Sequence, residues 1–372
     1  MSELSYLEAI VVGAFQGITE LFPVSSLGHS ILVPALAGGR WARDLDVSAP
    51  ESPYLAFIVG LHVATAAALL VFFWRDWLRI VAGFVSSLRY RRVRTSGERL
   101  AWLLIVGTIP VGISGLLLEH LFRTTLSRPI PTAAFLVANG LVLYLGERLR
   151  RRMDATTSAG VPVTMSTTGG TEGPGSAHDA GAAADTRLAR MSFGRATLIG
   201  SAQILALLPG ISRSGVTMVA GLLRGLSHED AARFSFLLAT PVILAAGALK
   251  LPDLTGPLGA GIHGPILAGS IASFVSAYLA VRFLTRYFET RTLTPFAVYC
   301  LVFGTVSLIW LLARPLPRPL IYLAKFVALL PYQLPPVRIQ RWSWRRIGLT
   351  LATLVVALLC AGIGASLLRS PL

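Results

Sequence analysis

Two stretches of this chain each interrupt an apolar helix with a proline followed by small hydroxyl residues: QGITELFPVSSLGHS at Gln16 to Ser30, and QILALLPGISRSG at Gln203 to Gly215. They constrain the fold more than any other feature. Glu20, His29 and Arg213 would each be costly against lipid, roughly 2.5–3.5 kcal/mol for an arginine at the centre of a span, so they belong in a shared polar cavity. A shift of 187 positions lays Gly13 on Gly200, Gln16 on Gln203, Ser25 on Ser212 and Gly28 on Gly215. That register predicts a duplicated fold with one interrupted helix per half and a site where the halves meet.

Composition sets the class. With 54% hydrophobic and 14% charged residues and a mean hydropathy of +0.67, the chain reads as an all-α polytopic membrane protein rather than a soluble domain. The long continuous apolar runs argue against a barrel, whose strands alternate in short segments. The acidic start at Glu3 offers no basic region or cleavage pattern of a removed leader. Cys300 and Cys360 lie in apolar runs and read as small buried hydrophobes rather than a disulfide or metal pair. The net charge of +15 gathers in the connections: seven Arg against two acids from Arg75 to Arg99, and seven against four from Arg148 to Arg195. The positive-inside rule places both stretches in the cytoplasm beside anionic lipid, and nucleic acid is not an expected partner.

Six runs can cross: Leu55 to Trp74, Leu100 to Phe122, Thr132 to Leu149, Ala231 to Leu251, Pro265 to Leu284 and Thr294 to Ala313. Leu27 to Ala37 and Val216 to Arg224 are too short for roughly 30 Å of hydrocarbon and are expected to enter and turn back as re-entrant hairpins; a kinked spanning helix is the alternative. Threading the spans from the two cytoplasmic loops opens the first hairpin outward and the second inward, an inverted-topology repeat. The domains expected are a first half at 1–150, a disordered cytoplasmic insertion at 151–192, a second half at 193–313 and an extension at 314–372 with one or two added membrane segments. Within the insertion, Ala155 to Asp185 is poor in large apolar residues and reads as disordered.

Gln16 and Glu20, four apart, share one helix face, as do Ser25, Ser26 and His29 on the returning piece. A helix start capped by Ser offers free N–H groups and its positive dipole end to an anion. Ser212, Arg213 and Ser214 sit at the equivalent turn, between Gly210 and Gly215, so a second helix start and a bidentate guanidinium point to the same place. Together these make a phosphate cradle, and the carboxylate of Glu20 can hold a Mg²⁺ or Ca²⁺ that phosphate oxygens and water complete. A serine at the turn can attack phosphorus, with His29 or Glu20 moving the proton. His62, alone on an apolar span, reads as a structural donor. Glu119, Asn139 and Glu147 lie at or near span ends and read as interfacial rather than catalytic.

These motifs resemble those of the undecaprenyl-diphosphate phosphatases of the bacitracin-resistance type: Gln16 four residues before Glu20, the Pro-x-Ser-Ser-x-Gly-His run from Pro23 to His29, and PGISRSG from Pro209. FSFLLATPVILAAGALKL from Phe234 and the run Thr294-Pro295-Phe296 are also similar, so the resemblance extends from about Leu4 to Ala313. It implies metal-dependent hydrolysis of undecaprenyl diphosphate to the monophosphate, recycling the lipid carrier of bacterial cell-wall synthesis from a multi-pass plasma-membrane enzyme. By position, Glu20 matches the essential carboxylate, Gln16 its variable partner, Ser26 the nucleophile, His29 the proton-transfer residue and Arg213 the phosphate-binding arginine. Ser25, Gln16, Ser212, Ser214, Gly210 and Gly215 are the substrate-binding candidates. Leu27 departs from the family's common threonine. The expected partners are a prenyl diphosphate lipid and membrane lipids, with a homodimer among the open assemblies; the active site is expected to face outward. A lipid-phosphate or small-anion transporter with inverted repeats is the rival, although a carrier has no need of a serine beside a histidine. The type-2 phosphatidic acid phosphatases fit poorly, because no histidine follows Ser212-Arg213 until His228.

Overall fold

The structure, a computed structural model, describes residues 5–39, 53–121, 126–158, 177–255 and 263–313. Helix α1 (Tyr6–Leu21) starts at a capping box: Ser5 Oγ accepts the Glu8 N–H at 3.2 Å, and the Ser5 N–H donates to Glu8 Oε2 at 3.0 Å. It stops just before Pro23, and α2 (Ser26–Ala37) returns from the break with Ser25 as its cap. α3 (Pro53–Phe72), α4 (Trp74–Tyr90), α5 (Ser96–Leu121) and α6 (Pro129–Ser158) follow. After α7 (Ala177–Ala189), the second interrupted segment comprises α8 (Phe193–Ser201), a tighter helical turn over Ala202–Leu207, and α9 (Arg213–Leu223). The described fold closes with α10 (His228–Thr255), α11 (His263–Thr290) and α12 (Thr294–Ala313). Ordered structure among the described residues is helical, as an all-α membrane protein requires.

Among the described residues five helices are long and apolar enough to cross a membrane, and α3 with α4 makes a sixth if that bent pair counts as one span. The expected span at Leu55 to Trp74 ends at Phe72, where the chain bends by 86° into α4. The Arg-rich connection that follows is therefore a helix rather than a loop. Its two-sided pattern explains this: Ile80 and Ser87 are buried, whereas Trp74, Leu78, Val81, Val85 and Leu88 form an exposed apolar stripe.

Helices associate through small residues. α1 runs along α11 so closely that a Cβ on Gly13 would strike the Gly269 carbonyl and one on Gly17 the Ser273 carbonyl. α8 runs along α5 in the same manner, with Gly200 against the Gly107 carbonyl. Between these pairs α3 packs on α10 and α6 on α12, where Gly140 lies against Ala297 and Gly304 against Ala133. Close backbone approach is what holds helices together where lipid is as apolar as leucine. Phe234, Phe236 and Phe288 are buried in the main core, and Phe57 in a second cluster with Ala9, Ile31 and Leu61.

Several expectations need correction. The stretch Ala155 to Asp185, read as disordered, is helical at both ends, through Ser158 and from Ala177, because its alanines favour helix and Asp185 is anchored. Asp185 is buried and accepts from Arg79 and Arg233, each at 2.8 Å, which ties α7 to α4 and α10. Glu147, read as interfacial, is buried and accepts from His228 at 2.9 Å and from Arg151 at 3.2 Å. Cys300 is buried, as expected of a small hydrophobe. Cys360, the 314–372 extension and residues 159–176 lie outside the described residues.

Candidate active site

The two proline breaks meet. A Cβ on Gly28 would lie 3.0 Å from Gly210 Cα, and one on Gly215 would lie 3.3 Å from Pro23 Cβ, so each turn approaches the other closely where glycine leaves room. Gly210 has φ +108°, a backbone state closed to most other residues. Asn139 on α6 joins the turns: its Nδ2 donates to the Pro23 carbonyl at 3.1 Å, and its Oδ1 accepts the Ser212 N–H at 3.0 Å. It is fully buried, so the interfacial reading of Asn139 fails: α6 runs on past the expected span and places that residue deep beside both breaks.

Ser25 is a non-glycine residue at φ +70°, a strain of the kind that clusters at functional sites. Its surroundings hold it there. Its Oγ caps α2 by accepting the Gly28 N–H at 3.2 Å, and its carbonyl accepts from His29 Nδ1 at 2.7 Å. Since a carbonyl only accepts, His29 Nδ1 carries the proton, and in the neutral ring Nε2 accepts from the Tyr299 hydroxyl at 2.8 Å. The imidazole also stacks on Phe303 and Tyr299.

Glu20 is the hub. Its Oε2 accepts from Ser26 Oγ at 2.5 Å and from Gln16 Nε2 at 3.1 Å, and its Oε1 accepts from Arg213 Nη2 at 2.6 Å. Carboxylate, hydroxyl and guanidinium thus come from three helices, α1, α2 and α9, all at or next to the breaks. The group is largely shielded, with Glu20 8% and Ser26 9% exposed. Two buried atoms in it lack a partner among the described residues: the donor Arg213 Nη1 and the acceptor Gln16 Oε1. Such orphans are rare enough to call for an explanation.

The sequence-derived candidates therefore divide. Gln16, Glu20, Ser26 and Arg213 gather, as expected. His29 is beside them in the chain, but its ring nitrogens serve Ser25 and Tyr299. Ser212 and Ser214, expected to bind substrate, direct their hydroxyls at the Phe22 carbonyl, at 3.4 and 3.2 Å, and so fasten one break to the other. Gly210 and Gly215 supply the close approach. His62 on α3, read as a structural donor, instead reaches Glu20 Oε2 at 3.3 Å and Gln16 Nε2 at 3.2 Å. Its lone position on an apolar helix gave no indication of that. No group of three His, Cys, Asp or Glu side chains forms a metal cluster among the described residues.

Comparison with known proteins follows the same lines. The model of the family described as Bacitracin resistance protein BacA matches residues 9–306. A protein named undecaprenyl-diphosphatase from Mycolicibacterium paratuberculosis is 69% identical over 313 residues, covering 84% of this chain and 99% of the relative. Undecaprenyl-diphosphatase 1 of Frankia casuarinae is 56% identical over 83% of this chain and 99% of its own. Undecaprenyl-diphosphatase 2 of Burkholderia orbicola is 41% identical over 83% of this chain and 98% of its own. With both interrupted segments inside the matched residues, the chain belongs to the BacA family of bacitracin resistance proteins.

Proposed function

We propose that Ser26 and Glu20 carry out phosphoryl transfer at a seam between two inverted helical repeats. The reaction itself follows from the relatives: the chain is an undecaprenyl-diphosphatase, a membrane hydrolase that splits the phosphoric anhydride of undecaprenyl diphosphate into undecaprenyl phosphate and inorganic phosphate, returning lipid carrier to cell-wall synthesis. The observation that carries the residue assignment is the 2.5 Å contact from Ser26 Oγ to Glu20 Oε2, beside a half-buried arginine whose Nη1 is buried without a partner among the described residues.

Ser26 Oγ attacks the terminal phosphorus while its proton passes to Glu20 Oε2. The bond to the bridging oxygen breaks, Glu20 passes the proton to that oxygen, and undecaprenyl phosphate leaves with the carboxylate regenerated. Glu20 then takes a proton from water as it attacks the phosphoseryl group and returns it to the departing Ser26 Oγ, which frees inorganic phosphate and restores Ser26. Arg213 Nη1, the donor without a partner, serves the equatorial phosphoryl oxygens, where charge accumulates. Both ring nitrogens of His29 being engaged, its part is to hold Ser25 in its strained turn, which aims Ser26, rather than to relay the proton. Ser25, Ser212, Ser214, Gly210 and Gly215 shape the cradle that the two helix starts offer to the diphosphate.

A divalent cation, Mg²⁺ or Ca²⁺, fits the residues present. Glu20 supplies a carboxylate, and Gln16 Oε1 is a buried oxygen acceptor without a partner one helical turn away; hard cations take such oxygens and fill the remaining positions with phosphate and water. When bound it would neutralise charge on the diphosphate.

The inverted-repeat reading rests on reciprocal packing: Gly13 and Gly200, equivalent under the 187-residue shift, each abut a glycine carbonyl on a helix of the other half, Gly269 and Gly107. The two short returning helices, of 12 and 11 residues, are half the length of a span, which supports re-entrant hairpins. The Arg-rich connections orient the cavity toward the outer face. A cysteine at Ser48 then reacts with a membrane-impermeant thiol reagent in intact cells, while one at Ser158 does not; the opposite pattern reverses the orientation.

A further inference from the structure

We propose that α4 is an in-plane anchor: its apolar stripe is seated in the membrane leaflet where α3 ends, and its arginines hold anionic phospholipid headgroups. α3 is apolar and carries no charged residue, so it runs along the membrane normal, and the 86° bend after Phe72 lays α4 across that direction, at the membrane surface. The 17 residues of α4 include Arg75, Asp76, Arg79 and Arg89, too many charges for a piece buried in hydrocarbon. Trp74, Leu78, Val81, Val85 and Leu88, at intervals of four, three, four and three, fall on one side of the helix and are each more than half exposed. The opposite side packs on α5, where Ser87 Oγ accepts from Trp102 Nε1 at 3.0 Å and Gly83 lies against the Glu98 backbone. Asp76 and Arg79 also leave the helix away from the stripe, and Arg79 is held there by Asp185 of α7. An open apolar stripe that begins with a tryptophan, on a helix lying at the surface, is the pattern of an interfacial helix, whose apolar face sits about 5–10 Å into the boundary between headgroups and acyl chains.

The charges decide which lipid. Asp76 and Glu98 are the two acids between Arg75 and Arg99, and both are engaged. Asp76 accepts from Arg79 and Arg233, and Glu98 accepts from Ser86 Oγ at 2.8 Å and from the Arg94 and Thr95 N–H groups at 2.6 and 3.0 Å. Arg75, Arg89, Arg91, Arg92 and Arg94 are exposed, and none of them pairs with a carboxylate among the described residues. Arg75 and Arg89 lie instead over the Trp74 and Tyr90 rings, 5.1 and 5.9 Å from their centroids. Five unneutralised guanidinium groups beside an apolar stripe match a partner that carries acyl chains and negative charge together, and each such arginine strengthens association with an anionic membrane surface about fivefold. A second copy of the chain matches less well. The stripe covers about two heptads where a coiled coil needs three or four, and the same five cations on each copy would repel one another.

Two measurements on the full-length protein test the two halves of the proposal. In the first, Cys360→Ser is combined with Leu78→Cys, Val85→Cys or Arg92→Cys, the buried Cys300 is left in place, and a nitroxide on the new cysteine is read for depth in phosphatidylglycerol/phosphatidylcholine nanodiscs by its collisions with oxygen and with a water-soluble nickel chelate. The labels at Leu78 and Val85 lie about 5–10 Å below the phosphates, and the label at Arg92 lies at headgroup level. Labels at Leu78 and Val85 that are open to the chelate overturn the anchor, and spin–spin broadening between copies at those positions makes the stripe a dimer face and overturns the lipid as its occupant. In the second, native mass spectrometry follows titration of the detergent-solubilised protein with phosphatidylglycerol or phosphatidylcholine. Arg89→Gln/Arg91→Gln/Arg92→Gln weakens phosphatidylglycerol binding at least about tenfold and leaves phosphatidylcholine binding as in wild type. Lysine at the same three positions keeps the charge and stays within about threefold of wild type, which a loss of fold would not allow. Phosphatidylglycerol binding by the glutamine variant equal to that of wild type overturns the headgroup assignment.

Discussion

Replacing Arg213 with lysine separates the charge of this residue from its shape. The guanidinium has two tasks on two nitrogens: Nη2 holds Glu20 Oε1 at 2.6 Å, and Nη1 is buried with no partner among the described residues. Lysine brings one ammonium on a flexible stem, and the fixed carboxylate of Glu20 claims it. The phosphoryl oxygens then lose a pre-aimed donor. Removing one such donor from an oxyanion site costs about 2.7–4 kcal/mol, or 10²–10³ in kcat. Because the donor matters most as charge develops, kcat falls by that factor and KM changes far less. Arg213→Ala falls further, since Glu20 is also left buried without its cation. The assay is the initial rate of phosphate release from undecaprenyl diphosphate in detergent at saturating Mg²⁺, with kcat and KM resolved. A kcat for Arg213→Lys within about threefold of wild type would remove Nη1 from the transition state and refute the assignment.

Asn139→Ala strands the Ser212 N–H, worth about 1–3 kcal/mol when buried without a partner, and leaves the Pro23 carbonyl only the Cys300 thiol at 3.8 Å, so the unfolding midpoint in detergent drops and activity drops with it; an unchanged midpoint contradicts the seam. Gly13→Val and Gly200→Val drive side chains into the Gly269 and Gly107 carbonyls and prevent recovery of folded protein, while Gly112→Ala, which meets open space, is recovered normally. Equal yields of all three variants would show that these close approaches do not hold the helices together.

Much of this site was legible before any coordinates. Charged and hydroxyl residues at a proline break in an apolar helix have few places to go, and the 187-residue register paired the breaks, so Glu20, Ser26 and Arg213 could be expected to meet. What remained hidden depended on direction rather than position. Ser212 and Ser214 lie at the right turn, but the nearest acceptor is the Phe22 carbonyl, a main-chain atom that no motif reports. His29 shares a helix face with Ser25, yet the aromatic side of α12 and the Tyr299 hydroxyl capture its ring. His62 and Asn139 were misread for one reason: each belongs to a helix whose partner could not be known, and burial of a lone polar side chain is decided by that partner. Within the Arg-rich connection, the period of α4 was present in the sequence but was outweighed by its charge.

The central claim is that Ser26 Oγ takes the phosphoryl group. Purified protein is mixed with undecaprenyl diphosphate labelled on its terminal phosphate and quenched within one turnover, half the sample in acid and half in alkali, and the label is located by peptide mass spectrometry. A serine phosphate survives acid, so the account predicts a phosphorylated Ser26 peptide in the acid quench that is absent from Ser26→Ala. Label that survives only the alkaline quench and maps to His29, or the complete absence of labelled protein while phosphate is released, would contradict it.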